Sequence, residues 1–221
     1  MVEFNGHKNE IHFITNPKPG NERELNVNRH IVKMNTEYKN VFKDFRIYKD
    51  YWIQNKHYEW VKIKKNVYMK PGEFNCLVNH YNIIKSAYKR GVENLMICED
   101  DVIIDFDRFT TMLENIPSDY NIVQFHLVVF GEPEENVHWK LLDNECFNRV
   151  IGDEKFCGLC VYMLNRTGMK NYLNYFKYEF VPADFPFMYR KYGIENLNHY
   201  VVNNKYRGVV NWWSFNSEIN K

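Results

Sequence analysis

Long apolar runs are absent from this sequence of 221 residues. No stretch reaches the roughly 18 consecutive apolar residues that a membrane-spanning helix needs. The opening residues, MVEFNGHK, also lack the apolar segment of a secretory signal peptide. We therefore expect a cytoplasmic protein with no membrane span in this chain, either free or peripheral to a membrane.

An excess of charge of either sign is absent as well, because 29 basic and 28 acidic side chains give a formal net charge of +1. Such a chain produces no overall field that attracts nucleic acid, so we expect no nucleic-acid partner. The sequence leaves the oligomeric state open.

A disulfide framework is not indicated, because the five cysteines are odd in number and scattered. Cys157 and Cys160 have C-x-x-C spacing, but no second pair accompanies them. We interpret them as buried thiols rather than as metal ligands or a redox pair.

Apolar and aromatic residues are plentiful, at 45% and 17% of the chain, so a sizeable core can form. The length fits one large domain, and we expect a single domain over residues 1–221. Strand-like and helical patterns alternate, which predicts an α/β fold with a mostly parallel central sheet flanked by helices. The predicted strands are 11–15, 45–48, 95–98, 120–125 and 155–164, and the predicted helices are 22–38, 73–90, 106–115, 167–176 and 185–192.

The most informative feature is a run of three acids at the end of a short apolar segment. Leu95–Cys98 is typical of a strand buried on both faces of a parallel sheet, and Glu99, Asp100 and Asp101 follow it directly. Ligands bind at the carboxyl ends of strands in open α/β sheets. Carboxylate oxygens suit a hard divalent cation, Mg²⁺ or Mn²⁺. The alternative is a solvated acidic turn, but the buried strand before it favours a metal site.

Three stretches carry a family resemblance when they are taken together and in order. They are PGEFNCLVNH at 71–80, LMICEDDV at 95–102, and CGLCVYMLNR at 157–166 with VPAD at 181–184. The series resembles glycosyltransferase family 25, whose pattern runs roughly G-E-x-G-C-x-x-S-H, I-L-E-D-D, G-x-x-x-Y-x-x-S-R and P-x-D. The resemblance extends over about residues 11–188. Asn75 and Asn79 stand where the pattern has Gly and Ser.

The resemblance implies a GT-A type, Rossmann-like fold and transfer of a hexose, galactose or glucose, from a UDP-sugar with inversion. The acceptor would be a hydroxyl of a glycan, a lipid or a protein. The expected cofactor is Mn²⁺ or Mg²⁺, because a metal ion on the donor phosphates neutralises the charge that develops as the glycosidic bond breaks.

The match also implies site residues. Asp101 is the expected metal ligand, with Glu99 and His126 as further candidates, and His126 directly follows a predicted strand. Asp184 is the expected general base for the acceptor hydroxyl, with a helix N-cap as its alternative role. Asp100 is a second catalytic candidate, as a metal ligand or a donor-sugar contact. The residues expected to contact the donor are Thr15, Asn16, Arg23, Asn79, His80, Glu99 and Asp100.

Three histidines and two tryptophans are further candidates for the site, but their sequence signals are weaker. His80 is either a phosphate contact or a core histidine, and His126 is either a ligand or a loop histidine. His199 is a further candidate for the metal shell. Trp212 and Trp213 are candidates to stack on an acceptor sugar, although paired tryptophans near a terminus more often cover the core.

Two other functions compete with glycosyl transfer. A nucleotidyltransferase or nuclease needs a second carboxylate pair or a Gly-rich phosphate loop, and no G-x-G-x-x-G or Walker sequence occurs. A catalytically degenerate module that binds sugar or nucleotide within a larger protein is the second. The intact acidic run argues against it, whereas Asn75 and Asn79 favour it.

Overall fold

A central sheet with helices on both faces forms the described part of the chain. The structure is a computed structural model that describes residues 9–15, 22–37, 44–49, 61–64, 67–126, 128–129, 139–141, 146–151, 156–176, 183 and 196–212. The strands are β1 (Asn9–Thr15), β2 (Asp44–Lys49), β3 (Val61–Lys64), β4 (Val67–Met69), β5 (Asn94–Glu99), β6 (Val102–Ile104), β7 (Ile122–Gln124), β8 (Val128–Val129), β9 (Trp139–Leu141), β10 (Phe147–Val150), β11 (Phe156–Cys157), β12 (Val161–Asn165), β13 (His199–Val202) and β14 (Val210–Trp212). The helices are α1 (Glu22–Glu37), α2 (Pro71–Arg90), α3 (Phe106–Glu114) and α4 (Arg166–Tyr175), with a short 3-10 turn at Asn204–Tyr206.

Eight strands form the main sheet, in the order β2-β1-β5-β12-β7-β13-β10-β9. Strands β2, β1 and β5 pair in parallel, as do β7 and β13, whereas β12 and β10 run antiparallel to their neighbours. Within this sheet six strands therefore share one direction and two oppose it. The predicted α/β fold with a mostly parallel sheet flanked by helices is confirmed. Three two-stranded ladders accompany it: β11-β8, β14-β6 and β3-β4.

Strand β5 lies inside the sheet, between β1 and β12, and is buried on both faces, as its apolar sequence predicts. Its residues alternate between two cores, because successive side chains of a strand point to opposite faces. Met96 and Cys98 pack on the face covered by α1 and α3. Leu95 and Ile97 pack on the other face, with α2 and α4. The chain is therefore layered helix–sheet–helix around β5.

Helix α2 has clear start and stop signals. Pro71 occupies its first turn, and the backbone N–H of Lys70 donates to Oε2 of Glu73 over 3.1 Å. Gly91 ends the helix in the left-handed conformation, at φ 83°. These signals fix the helix so that one turn, carrying Cys76 and His80, faces the carboxyl end of β5.

The predicted elements differ from the observed ones mainly at their ends. The predicted strand over 155–164 divides into β11 and β12, because Gly158 takes φ 111° and turns the chain between them. The predicted strand over 120–125 shortens to β7, and no element was predicted where β8, β9 and β10 form. The predicted helix at 185–192 lies outside the described residues.

Among the described residues, no helix combines the length and apolar character that a membrane crossing requires.

Candidate active site at the carboxyl end of strand β5

The acidic run forms a turn that other strands hold in place. Glu99 ends β5, and Asp100 and Asp101 turn the chain into β6. The backbone N–H of Glu99 donates to the carbonyl oxygen of Cys160, just before β12, over 2.7 Å. On the other side, β6 pairs with β14, where Trp212 lies opposite Val102. The turn therefore sits between a central strand and a strand more than a hundred residues later.

Arg23, in the first turn of α1, provides positive charge to the two aspartates. Its Nη1 lies 2.9 Å from Oδ1 of Asp100, and its Nη2 lies 3.8 Å from Oδ2 of Asp101. The Asp100 side chain is 7% exposed and that of Asp101 is 22% exposed, so Asp100 is the more enclosed partner. Asp101 Oδ1 is buried and has no hydrogen-bond partner in the described part of the chain.

Asn26 fixes the backbone of the same turn. It lies one helical turn after Arg23 on α1, and its side chain is buried. Its Nδ2 donates to the carbonyl oxygens of Asp100, at 3.2 Å, and Val102, at 2.7 Å. Because one amide group donates to the carbonyls on both sides of Asp101, it holds the backbone of the turn in place.

Glu99 faces α2 and the start of β12. His80 Nε2 lies 3.0 Å from Oε1 of Glu99, and the Cys76 thiol donates to the same oxygen over 3.7 Å. The other ring nitrogen of His80, Nδ1, lies 2.8 Å from the hydroxyl of Tyr162. The rings of His80 and Tyr162 also stack, with centroids 5.6 Å apart. A chain of contacts thus runs from the β12 strand through the helix to Glu99.

Glu99 and Asp101 differ in the ease with which they ionise. Burial opposes ionisation of Glu99, but hydrogen bonds and charge from His80, together with Cys76 and Arg23, outweigh it and lower the pKa of Glu99. Burial, reinforced by the charges of Glu99 and Asp100, raises the pKa of Asp101 to about 7, and Arg23 offsets this only in part. The site therefore carries an excess of negative potential at Asp101.

Comparison with known proteins decides the family. The model of glycosyltransferase family 25, described as an LPS biosynthesis protein family, matches residues 3–187. The chain belongs to glycosyltransferase family 25. The resemblance carried by the three sequence stretches is therefore confirmed, and the chain is a member of a family of glycosyltransferases.

Solved structures also resemble this family 25 chain. A197 from STIV is 13% identical, with 88% of this chain and 81% of that chain covered and a TM-score of 0.40. A glycosyltransferase involved in the glycosylation of the major capsid of PBCV-1 is 8% identical, with 88% and 80% covered and a TM-score of 0.48. No curated protein matches the chain.

The structure brings several of the residues predicted for the family 25 site to one edge of the sheet. Thr15 ends β1 beside β5, and its buried Oγ1 has no hydrogen-bond partner among the residues that the structure describes. His126 follows β7 and is close enough to Glu99 to respond to its charge, which opposes the lowering of the His126 pKa by burial. Asn79 is buried on α2, next to His80.

Other predicted residues do not reach this edge or are not described. Asn16, Asp184 and Trp213 lie outside the described residues. His199 begins β13 and lies opposite Ile122 of β7. Ile122 pairs with Leu164 of β12, and Leu164 pairs with Leu95 near the start of β5. Its Nε2 lies 2.6 Å from Oε1 of Gln124. His199 therefore lies at the level where β5 starts, away from the acidic turn, and its place in a metal shell stays a prediction.

Sequence reasoning missed three residues of the site. Asn26 clamps the acidic turn, Cys76 donates to Glu99, and Tyr162 orients His80. A signal existed for Cys76, because it precedes His80 by four residues and therefore lies on the same face of the helix. The family 25 pattern marks Tyr162, as the Tyr of G-x-x-x-Y, but not its contact with His80, 82 residues away in the chain. Nothing local in the sequence marks Asn26, which acts across 74 residues.

Proposed function

We propose that this chain transfers a hexose, galactose or glucose, from a UDP-sugar to a hydroxyl of a glycan, lipid or protein, with a divalent cation and a GT-A arrangement of the donor site. The observation that carries the proposal is the acidic turn itself. It lies at the carboxyl end of β5, a strand with a buried apolar centre, where α/β sheets bind ligands. Membership of family 25 supplies the reaction class.

The residues present fit a hard divalent cation. Asp101 offers a buried Oδ1 that no described residue engages, and burial, together with the charges of Glu99 and Asp100, raises its pKa to about 7. An oxygen-rich site with unbalanced negative charge is what Mn²⁺ or Mg²⁺ requires. Asp101 would hold the ion, with Glu99 and His126 as further ligands. When bound, the ion supplies positive charge to the leaving diphosphate.

The protein's own groups position the acids for this task. Arg23 forms an ion pair with Asp100 and holds that carboxylate in an enclosed position. Asn26 holds the backbone on both sides of Asp101, and His80 holds one oxygen of Glu99. These contacts come from α1 and α2, so the protein itself holds the acids in place.

The transfer step requires a base on the acceptor side. The acceptor oxygen bonds to the anomeric carbon as the bond from that carbon to the diphosphate oxygen breaks, and the hydroxyl proton passes to a carboxylate. We assign this base to Asp184, in the P-x-D stretch that family 25 shares, and attack opposite the leaving group gives inversion. Thr15, Asn16 and Asn79 are the proposed contacts to the nucleotide and phosphates.

Turnover of the donor tests the proposal. UDP release from UDP-galactose and UDP-glucose is measured with and without Mn²⁺, on wild type and on Asp101→Asn. Asp107→Asn is the matched control, because Asp107 is an exposed aspartate on the neighbouring helix α3. We expect slow Mn²⁺-dependent UDP release that falls at least about 100-fold in Asp101→Asn and stays unchanged in the control. Donor binding without any turnover would indicate a catalytically degenerate module.

A further inference from the structure

Three side chains of different chemistry meet next to the acidic turn. A sulfur of Cys76, a ring nitrogen of His80 and a carboxylate oxygen of Glu99 all lie within 4.8 Å of one another. Cys76 and His80 are four residues apart on α2 and so lie on the same helix face, while Glu99 comes from the end of β5. Two rigid elements therefore present one thiol, one imidazole and one carboxylate to a common point.

His80 is oriented as a metal-binding histidine is. A ligating histidine usually donates its second ring N–H to a fixed acceptor, which selects the tautomer and the ring orientation. Here Nδ1 lies 2.8 Å from the Tyr162 hydroxyl, and the stacked Tyr162 ring holds the imidazole plane. In the structure Nε2–H donates to the Glu99 carboxylate, and Nδ1 faces the Tyr162 hydroxyl. With an ion bound, the ring proton would reside on Nδ1, where the Tyr162 oxygen accepts it, and the lone pair of Nε2 would face Cys76 and Glu99. The ring is completely buried, so this orientation is fixed by packing.

The donor set selects the metal. Thiolate and imidazole ligands favour Zn²⁺, whereas Mg²⁺ and Mn²⁺ favour sites built from oxygen. We propose that Cys76, His80 and Glu99 bind one Zn²⁺ ion through sulfur, nitrogen and oxygen, with a fourth position left for water. On binding, the thiol proton of Cys76 is released to solvent and the proton of His80 resides on Nδ1.

This site is separate from the carboxylate site proposed at Asp101, although Glu99 contributes to both. The contacts that define it are those of Glu99 Oε1, at 3.0 Å from His80 and 3.7 Å from Cys76. Neither Asp100 nor Asp101 takes part in these contacts. The proposal therefore stands independently of glycosyl transfer, and a test of Zn²⁺ binding needs no donor or acceptor.

Zinc affinity and the spectrum of the Co²⁺-substituted protein test the proposal. Zn²⁺ affinity is measured by competition with a chromophoric chelator, and thiolate ligation gives Co²⁺ a charge-transfer band in the near ultraviolet. We expect one Zn²⁺ per wild-type chain and a Co²⁺ band. Cys76→Ser should abolish the band and weaken Zn²⁺ binding at least about 100-fold, and Tyr162→Phe should weaken it about 10-fold. Cys160→Ala, which removes a buried thiol at the same sheet edge, should keep both, as should Asp107→Asn at an exposed position of α3.

Several outcomes would overturn the proposal. One is a wild-type protein that gives no charge-transfer band with Co²⁺, which needs no variant and so does not depend on variant folding. A second is a Cys76→Ser protein with native circular dichroism that binds Zn²⁺ as tightly as wild type. A third is loss of the band in Cys160→Ala or of Zn²⁺ binding in Asp107→Asn, since either would place the ion elsewhere.

Discussion

Nη1 of Arg23 lies 2.9 Å from Oδ1 of Asp100, and this ion pair joins helix α1 to the acidic turn 77 residues later in the chain. Asp100 is almost completely enclosed, and Arg23 is largely so. A carboxylate in such a position needs its partner, because removal of one member leaves an uncompensated buried charge. The pair therefore supports both the fold and the charge state of the site.

Replacement of Arg23 should destabilise the protein through Asp100. We expect Arg23→Met to lower the free energy of unfolding by about 2–4 kcal/mol, somewhat below the full loss for a wholly buried pair, because the guanidinium is partly exposed. Arg29→Met, at an exposed position of the same helix, should change it by less than about 0.5 kcal/mol. Urea denaturation in metal-free buffer measures both. Equal losses in the two variants would show that the ion pair has no special role.

Asn26→Ala should damage the acidic turn without removing any charge. The substitution leaves the carbonyl oxygens of Asp100 and Val102 without their amide donor, which should cost about 1–3 kcal/mol of unfolding free energy. Asn28→Ala, at an exposed position two residues on, is the control and should be nearly neutral. Thermal unfolding of the two proteins compares them. If Asn26→Ala melted at the same temperature as wild type, the two hydrogen bonds of Asn26 would not stabilise the turn.

His30 should make stability depend on pH. Its ring packs between Phe13 and Phe106, with centroids 6.4 and 5.6 Å away, and burial lowers its pKa from 6.5 to about 4. Between these values the unfolded chain binds more protons than the folded one, so this contribution to stability is complete above 6.5 and is lost as pH falls towards 4.

The measurement is the difference in unfolding free energy between wild type and His30→Phe. As pH falls from about 7.5 to about 5, wild type should lose about 2 kcal/mol of unfolding free energy relative to His30→Phe. Other groups titrate alike in both proteins, including Glu10, whose pKa is about 2 because His12 and Arg90 overcome the effect of burial. A difference that is independent of pH would contradict the lowered His30 pKa.

Parts of this molecule follow from local sequence, and parts do not. Helix α2 could be predicted from its apolar spacing, with Pro71 marking its start and Gly91 its end. Strand β5 could be predicted from its short apolar run. The acidic run could be placed at a strand end for the same reason. By contrast, β8 to β10 lack a clear alternation of apolar and polar residues, so no periodic pattern marked them.

The supports of the site could not be predicted from sequence, because they arise from contacts between distant segments. His80 meets Tyr162 at a separation of 82 residues, and Asn26 meets Val102 at a separation of 76. Only the assembled sheet determines these pairings. The same applies to His199, whose position at the start of β13 became evident from strand register and not from its neighbours in sequence.

Gly168 is required by a close approach of two backbones. It lies in helix α4, where Ala usually stabilises relative to Gly by about 0.5–1 kcal/mol. Here an added Cβ would lie 2.2 Å from the carbonyl oxygen of Asn121, which accepts a hydrogen bond from Asn165. We therefore expect Gly168→Ala to destabilise the protein by at least about 1–3 kcal/mol.

Gly91→Ala is the informative comparison, since an added Cβ meets nothing within 4 Å there and only the left-handed backbone opposes it. That change should cost about 1 kcal/mol. Urea denaturation ranks the two variants. A Gly168→Ala protein more stable than wild type would refute the steric argument.

The most direct test of the central claim is isothermal titration of UDP into the protein with and without Mn²⁺. The claim is that Asp101 holds a divalent cation for the donor diphosphate. It predicts UDP binding that requires Mn²⁺, that weakens at least about 10-fold in Asp101→Asn, and that is unchanged in Asp107→Asn. Equal binding of UDP without Mn²⁺, or wild-type affinity in a folded Asp101→Asn protein, would contradict it.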